Sequence, residues 1–332
     1  MKVCFLTSSP NIDIGSYRIW VNDLSKTISD IGNESIICIN DLDDQKYDAI
    51  ILCKSAYKCA DKIKDKFKNI KVGAINIPSN YQNPNIDFVI VGSYEEKCSL
   101  SFYKNVFVYP LIERQFQNIE RKIHKKEDIT RICFHGHFPH LAKFEPFLRS
   151  AIESISGSGN NIELVVITGD SRFDWKHGKP KNVKVEMHQY DQKTITEIIK
   201  SCDIGVVPNV TDMRLYNGDV QKQNSVEYGL YSTDYFLRFK NKTNAGRAFV
   251  FYQHGIPVIH DLSPSSFEFM GKCENKIVAH DTASWCREIL YLMDHNTRNT
   301  VSKENFDVFN NHYDPHDHAK KLVKFIGDIH NE

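Results

Sequence analysis

The 332-residue chain is 41% hydrophobic and 25% charged, the balance of a folded α/β protein with room for two domains of roughly 150 residues. Lys+Arg and Asp+Glu each number 42, for a formal net charge of zero. The broad positive field that draws proteins to nucleic acid is therefore missing, no nucleic-acid partner is expected, and any anion recognition must be local.

The opening MKVCFLTSSP has too short an apolar run for a secretory core or a membrane span, and no later stretch reaches about 18 apolar residues. Nine scattered cysteines without a C-x-x-C pair read as reduced thiols of a cytosolic protein rather than a disulfide framework. Lys2 to Leu6 reads as a buried strand. Tyr17, Trp20, Val21, Leu24, Ile28 and Ile31 then recur at helical spacing, with Gly32 as the stop. Apolar runs at Ser35–Ile39, Ala49–Leu52, Val72–Ile77, Phe88–Val91 and Val106–Tyr109 continue a strand-helix alternation typical of a parallel sheet.

Glu113 to Asp128 carries nine charged residues and reads as a linker or exposed interdomain segment. The alternation then restarts. Arg131–Phe134, Ile162–Ile167, Val183–Met187 and Ile204–Val207 read as strands, Phe147 to Ile155 and Thr194 to Lys200 as helices. Asn209 to Tyr235 breaks the rhythm, either as a cleft-side or partner-binding loop or as a mobile insertion. Helical segments near Ala283–Met293 and His318–Ile329 close the chain. The expected architecture is α/β, two Rossmann-like domains with a cleft between them: 1–120 on the acceptor side, 121–312 for the donor, and 313–332 as a helix packing back on the body.

The tract RFKNKTNAGRAFVFYQHGIPVIHD, residues 238–261, concentrates Arg238, Lys240, Lys242 and Arg247 with no acid between Asp234 and Asp261. Ala245, Ala248, Phe249 and Tyr252 lie at helical spacing, so a helix is expected to start near Thr243 or Asn244, either a competent N-cap. It ends at His254-Gly255 before Ile256-Pro257-Val258-Ile259, which sets its N-terminus at the carboxyl edge of the sheet, where ligands of open α/β folds bind. Free N–H groups, the positive helix end, Lys242 and Arg247 together suit phosphate, a solvated basic turn being the bland alternative.

NAGRAFVFYQHGIPVI resembles the helix-Gly-x-Pro-Val-strand element of GT-B-fold glycosyltransferases, especially the large group-one retaining family. SCDIGVVPN is similar to that family's preceding strand, and RICFHGHFPH to the first strand of its donor domain. The resemblance implies donor-diphosphate binding by Gly136 together with Lys242, Asn244 and Arg247, with Met187 and His188 on the nucleotide side. The family's usual pair of glutamates falls on Lys242 and Val250, so its carboxylate contacts to sugar and ribose do not carry over.

Gly15, after Asn11, Ile12 and Asp13, offers an acceptor-side or phosphate loop, or simply a strand-to-helix turn. Asp13 is the candidate catalytic residue, the general base if the enzyme inverts, although it also suits a plain turn cap. Retention is favoured, since no histidine or glutamate stands in that loop. His135, His137 and His140, and the cluster His312, Asp314, His316, Asp317 and His318, have a metal reading; the first group is taken as a loop, the second as a solvated loop ahead of the last helix.

The expected function is thus a metal-independent, cofactor-free glycosyltransferase. It would move a sugar from a nucleotide-diphosphate donor to a glycan, lipid-linked or other acceptor in surface-polysaccharide or glycoconjugate synthesis. A cytoplasmic location is expected, peripheral association with the inner membrane face included. A sugar-nucleotide isomerase or hydrolase on the same fold, and a noncatalytic nucleotide-sugar-binding protein, are the competing readings.

Overall fold

The structure, a computed structural model, describes every residue except 44, 79, 170–174, 176–177, 210, 213–236, 239–244, 262 and 330–332. The chain divides into two compact units, Met1–Gln115 with Tyr313–Glu332, and Phe116–His312. Among the described residues no helix is long and apolar enough to cross a membrane, and all nine cysteines are free.

The first unit is built on strands β1 (Lys2–Thr7), β2 (Glu34–Ile39), β3 (Ala49–Cys53), β4 (Lys71–Ile75), β5 (Phe88–Val91) and β6 (Val106–Val108), in the order β2-β1-β3-β4-β5-β6. Every pairing is parallel. A sheet covered on both faces calls for unbroken apolar runs, and AIILC of β3 and FVIV of β5 are buried at every position. One face packs Val3, Phe5, Ile51 and Phe88 against Trp20, Leu24 and Ile28, with Leu322 and Ile326 of the helix Pro315–Asp328. The other packs Leu6, Ile50 and Val72 against Ala56, Ala60 and Ile63. The helix expected over Tyr17 to Ile31 runs from Gly15 to Asp30, but its middle, Arg18–Asp23, is a turn of π-helix.

The second unit carries β7 (Thr130–His135), β8 (Ile162–Thr168), β9 (Lys184–Gln189), β10 (Ile204–Val207), the two-residue antiparallel pair β11 (Thr211–Asp212) and β12 (Leu237–Arg238), and β13 (Val258–His260). Its main sheet is parallel, ordered β13-β10-β7-β8-β9. The chain winds outward from β7 through β8 to β9, then crosses back to add β10 and β13 on the other side. The carboxyl ends of β7 and β10 thus flank the point where the winding reverses, the place where open α/β sheets gather ligands. In the first unit the corresponding point lies between β1 and β3.

The charged segment 113–128 holds the boundary between the units, at Gln115 to Phe116, and half of its residues are exposed, while Glu113, Phe116 and His124 are buried. Within the second unit, Lys122 N donates to His254 O at 3.0 Å, and His124 N to Asn299 Oδ1 at 2.9 Å. Gly255, at φ 71°, is required here, since a Cβ would stand 2.8 Å from Lys122 N. The loop expected for the C-terminal histidines is corrected: His312 ends the 18-residue helix His295–His312, while His316 and His318 sit in the first turns of Pro315–Asp328, whose N-cap is Asp314. The basic-tract helix spans Gly246–His254 with Ala245 at its N-cap, whereas Thr243 and Asn244, the expected caps, lie outside the described residues. Most of the 209–235 stretch lies outside them as well.

The helix His295–His312 buries Arg298, Val301, Ser302, Asn305 and Phe309, a stripe of helical period that is largely polar, so an apolar pattern does not reveal it. Arg298 Nη1 donates to the carbonyls of Leu292 and Met293 at 2.9 and 2.7 Å, Nη2 to Lys125 O at 3.2 Å, and the guanidinium lies 3.7 Å from Asp203. Burial alone would raise the Asp203 carboxyl, but His124, the charges of Lys122 and Arg298, and the Arg131 amide hold it at about 2. Removing one partner from a buried charged network strands the others. Arg298→Ala is expected to cost about 3–5 kcal/mol of stability, measured by chemical denaturation; a loss below about 1 kcal/mol, the range of a surface pair, would contradict this reading.

Candidate functional site

Gly136 follows β7 with φ 148°, a conformation that disfavours any side chain. The turn brings its Cα against the first helical turn of Gly246–His254: a Cβ added at Gly136 would sit 3.0 Å from Arg247 Cδ. Two of the sequence-predicted diphosphate residues, Gly136 and Arg247, are therefore in contact. Lys242 and Asn244 lie outside the described residues.

Arg247 is clamped from several sides. Its guanidinium carbon stands 5.7 Å from the Phe134 ring centroid, Nη2 donates to Asn209 Oδ1, and its backbone carbonyl meets His135 Nε2 at 2.8 Å. Asn209, two residues beyond β10, is itself fixed by a 3.0 Å bond from its amide to the Asp261 carboxylate, which follows β13. The ends of β7, β10 and β13 thus converge on one guanidinium. Burial pushes Arg247 down to about 10, with Asp261 opposing the shift, so it stays protonated at neutral pH.

Two buried donors of this cluster have no hydrogen-bond partner among the described residues: Arg247 Nη1 and Asn209 Nδ2. An arginine only donates, so the oxygen of the Asn209 amide must face it and the –NH2 must point elsewhere. A buried donor left unpaired costs about 1–3 kcal/mol. The arrangement is a guanidinium N–H beside a neutral amide N–H, both lacking an acceptor among the described residues, at the reversal point of the sheet and the N-terminal turn of a helix without a side-chain cap.

Within the second unit, Met187 and His188 lie apart from this cluster. Met187 and His188 belong to β9, the edge strand on the far side of β8; Met187 packs against the apolar core and His188 Nε2 lies 2.7 Å from Glu186. Asp13 and Gly15 belong to the first unit, after β1. Asp13 is exposed, its amide donating to Asn11 Oδ1 at 2.9 Å in an Asx turn, and Gly15 opens the helical segment. Asn209, Asp261 and the role of His135 escaped the sequence reading. Asn209 and Asp261 each stand just past a strand at the ligand edge, and Asp261 is the first acid after the basic tract, which is the signal that could have found them. Among the described residues no group of three or more His, Cys, Asp or Glu side chains is placed to hold a metal ion.

No family model and no curated protein matches the sequence. Solved structures do match. The chain is similar to sucrose-phosphate synthase from Thermosynechococcus elongatus at TM-score 0.63 and 11% identity over 97% of each chain. It is similar to the apo form of OtsA at TM-score 0.61 and 10% identity, covering 100% of both. A DNA-modifying β-glucosyltransferase, solved with and without its substrate uridine diphosphoglucose, matches at TM-score 0.56 and 13% identity over 98% of this chain and 99% of that one. The chain has the fold of GT-B glycosyltransferases.

Three buried histidines of the second unit are neutral rings, of which His135 bonds Arg247. Burial lowers His135 to about 4, the Arg247 carbonyl it bonds opposing this, lowers His254 to about 4 and lowers His260 to about 3. His254 bridges Val250 O at 2.6 Å and Thr196 Oγ1 at 3.3 Å; His260 pairs with the Tyr252 hydroxyl. A base whose folded pKa lies below its unfolded value, about 6.5, stabilises the fold above pH 6.5. That contribution is lost as pH falls from about 6.5 towards 4, because the unfolded chain takes up the proton first. Thermal stability is expected to fall over this window, and His254→Gln to remove up to about 1.4 kcal/mol per pH unit of the slope. An unchanged slope, read by calorimetry from pH 7 to 5, would contradict the neutral assignment of His254.

Proposed function

We propose that the protein is a glycosyltransferase that takes a sugar from a nucleotide-diphosphate donor bound in the second unit. The observation that carries the reading is the pair of unpartnered buried donors, Arg247 Nη1 and Asn209 Nδ2, beside the Gly136 turn. A diphosphate oxygen satisfies both and meets a charge that is already in place. Lys242 and Asn244 are proposed as further diphosphate contacts from their positions in the basic tract. Met187 and His188 are proposed on the nucleotide side.

The chemistry follows from where charge develops. As the glycosidic bond to phosphate breaks, negative charge grows on the leaving diphosphate, and a preorganised guanidinium plus a helix N-terminus stabilise it without reorganisation. No resident cofactor or metal is invoked in this step. The proposed acceptor is a glycan or lipid-linked molecule, in surface-polysaccharide or glycoconjugate synthesis, at a cytoplasmic site that includes the inner membrane face.

Arg247→Ala and Asn209→Ala are expected to weaken binding of the donor nucleotide, the first by about 1.5–3 kcal/mol for a charged contact and the second by about 1 kcal/mol. Calorimetry on folded variants reads this out, against a panel of nucleoside diphosphates; unchanged affinity in both would remove the proposed site. For stereochemistry the proposal is retention, with the leaving phosphate taking the acceptor proton. In an assay run with EDTA, NMR should show a product with the donor's anomeric configuration, and Asp13→Asn should slow turnover only a few-fold. An inverted product with an Asp13→Asn loss in the 10²–10⁴-fold range of a general base would make Asp13 that base. Loss of turnover in EDTA, restored by one divalent ion, would overturn the metal-free step.

A further inference from the structure

The first unit has its own reversal point, between the carboxyl ends of β1 and β3, and an unusual lysine occupies it. Lys54, the residue after β3, has φ 54°. Asn40 and Asn76, after β2 and β4, share that sign at 64° and 54°, but asparagine tolerates this conformation far better than a long side chain does. From this backbone the Lys54 side chain reaches back across the gap: Nζ lies 3.4 Å from Ser9 O and 5.9 Å from the centroid of Tyr17. Beneath it the hydroxyls of Ser8 and Ser55 meet at 2.8 Å, spanning the same two strand ends. Among the described residues Lys54 has no ion-pair partner, whereas Lys64, at the other edge of the sheet, pairs with Asp87 at 2.6 Å.

We infer that Lys54, Ser8 and Ser55 form an anion subsite, and that the molecule bound by the first unit carries a phosphate or carboxylate seated there. The inference rests on the transferase reading for calling that molecule the acceptor. The subsite stands on its own geometry: one lysine ammonium with donors to spare, a hydrogen-bonded pair of hydroxyls with one proton left to donate, and a ligand-gathering strand edge. Backbone strain retained at such an edge is the pattern of a residue held for its side chain. Tyr17 adds a ring face to the ammonium, and the loop after β1 carries two exposed apolar side chains, Ile12 and Ile14, 42% and 44% exposed.

The test is calorimetric titration of the full chain with glucose 6-phosphate, glucuronate and glucose. The anionic sugars are expected to bind at least about tenfold tighter than glucose, as a charge-assisted contact requires. The order of phosphate and carboxylate tells which anion the site takes. Lys54→Gln should lose that advantage and Lys54→Arg should keep it. Lys54→Gly should also lose it while melting no lower than the wild type, because glycine accepts the backbone conformation without strain. Arg247→Ala should leave sugar binding intact while weakening nucleotide binding, which separates this inference from the donor site. Equal binding of glucose, full anion binding by Lys54→Gln, or anion binding that disappears with Arg247→Ala instead would each overturn the subsite.

Discussion

Parallel pairing is the constraint on which the rest depends. When every strand of a sheet points the same way, each connection must cross back over a face, and all carboxyl ends gather at one edge. Both main sheets obey this, and both reverse their winding beside their first strand. The reversal opens a gap because the loops leaving the two central strands turn to opposite faces. Arg247 with Asn209 and Gly136, and separately Lys54 with Ser8 and Ser55, stand at these gaps, where the fold leaves backbone and side-chain donors uncovered by neighbouring connections.

The donor cluster depends on apolar packing that its own residues do not supply. The helix Gly246–His254 approaches β10 closely over Gly205, where any Cβ would lie 2.7 Å from the Phe251 ring. His135 turns its ring edge-to-face onto the same Phe251 at 4.9 Å while bonding the Arg247 carbonyl. On the other side of the helix Tyr252 stacks on Phe269 at 4.1 Å. These contacts set the helix by its buried side and leave the first turn free to present Arg247. A neutral imidazole suits the position because it donates one N–H without adding a second charge beside the guanidinium.

At the opposite edge of the second sheet, burial is polar and serves stability. Asp203 gathers the Arg131 amide at 3.0 Å, Lys122 at 3.2 Å and Arg298 at 3.7 Å. The network pins the segment that enters the unit and the helix that leaves it to the start of β10. A carboxylate this buried is tolerated only with such partners. The same kind of residue thus has different settings at the two edges: at the amino edge the charges gather on one carboxylate, Asp203, whereas at the carboxyl edge the Arg247 guanidinium meets a neutral amide, Asn209.

The sequence alone determined the strand-helix alternation, because buried parallel strands must be apolar throughout, and AIILC, FVIV and IGVV carry that requirement in their composition. It also marked Arg247, since a cation at a helix start has a local physical cause, whereas Gly136 came from the resemblance of RICFHGHFPH to a family's strand. The resemblance carried by NAGRAFVFYQHGIPVI agrees with the fold that the solved structures share. What it left unread were features whose cause lies far along the chain. His295–His312 was missed because its buried stripe is polar and is matched by Asp203 and by carbonyls of other segments. The burial of Glu113 and His124 within segment 113–128 was unread because charge density does not reveal a distant partner that buries a residue. Asn209, Asp261 and Lys54 look like ordinary loop residues until the sheet order sets β7 beside β10 and β1 beside β3. Strand order is decided by which apolar faces pack together across the whole chain, so only the tertiary structure could make neighbours of these side chains.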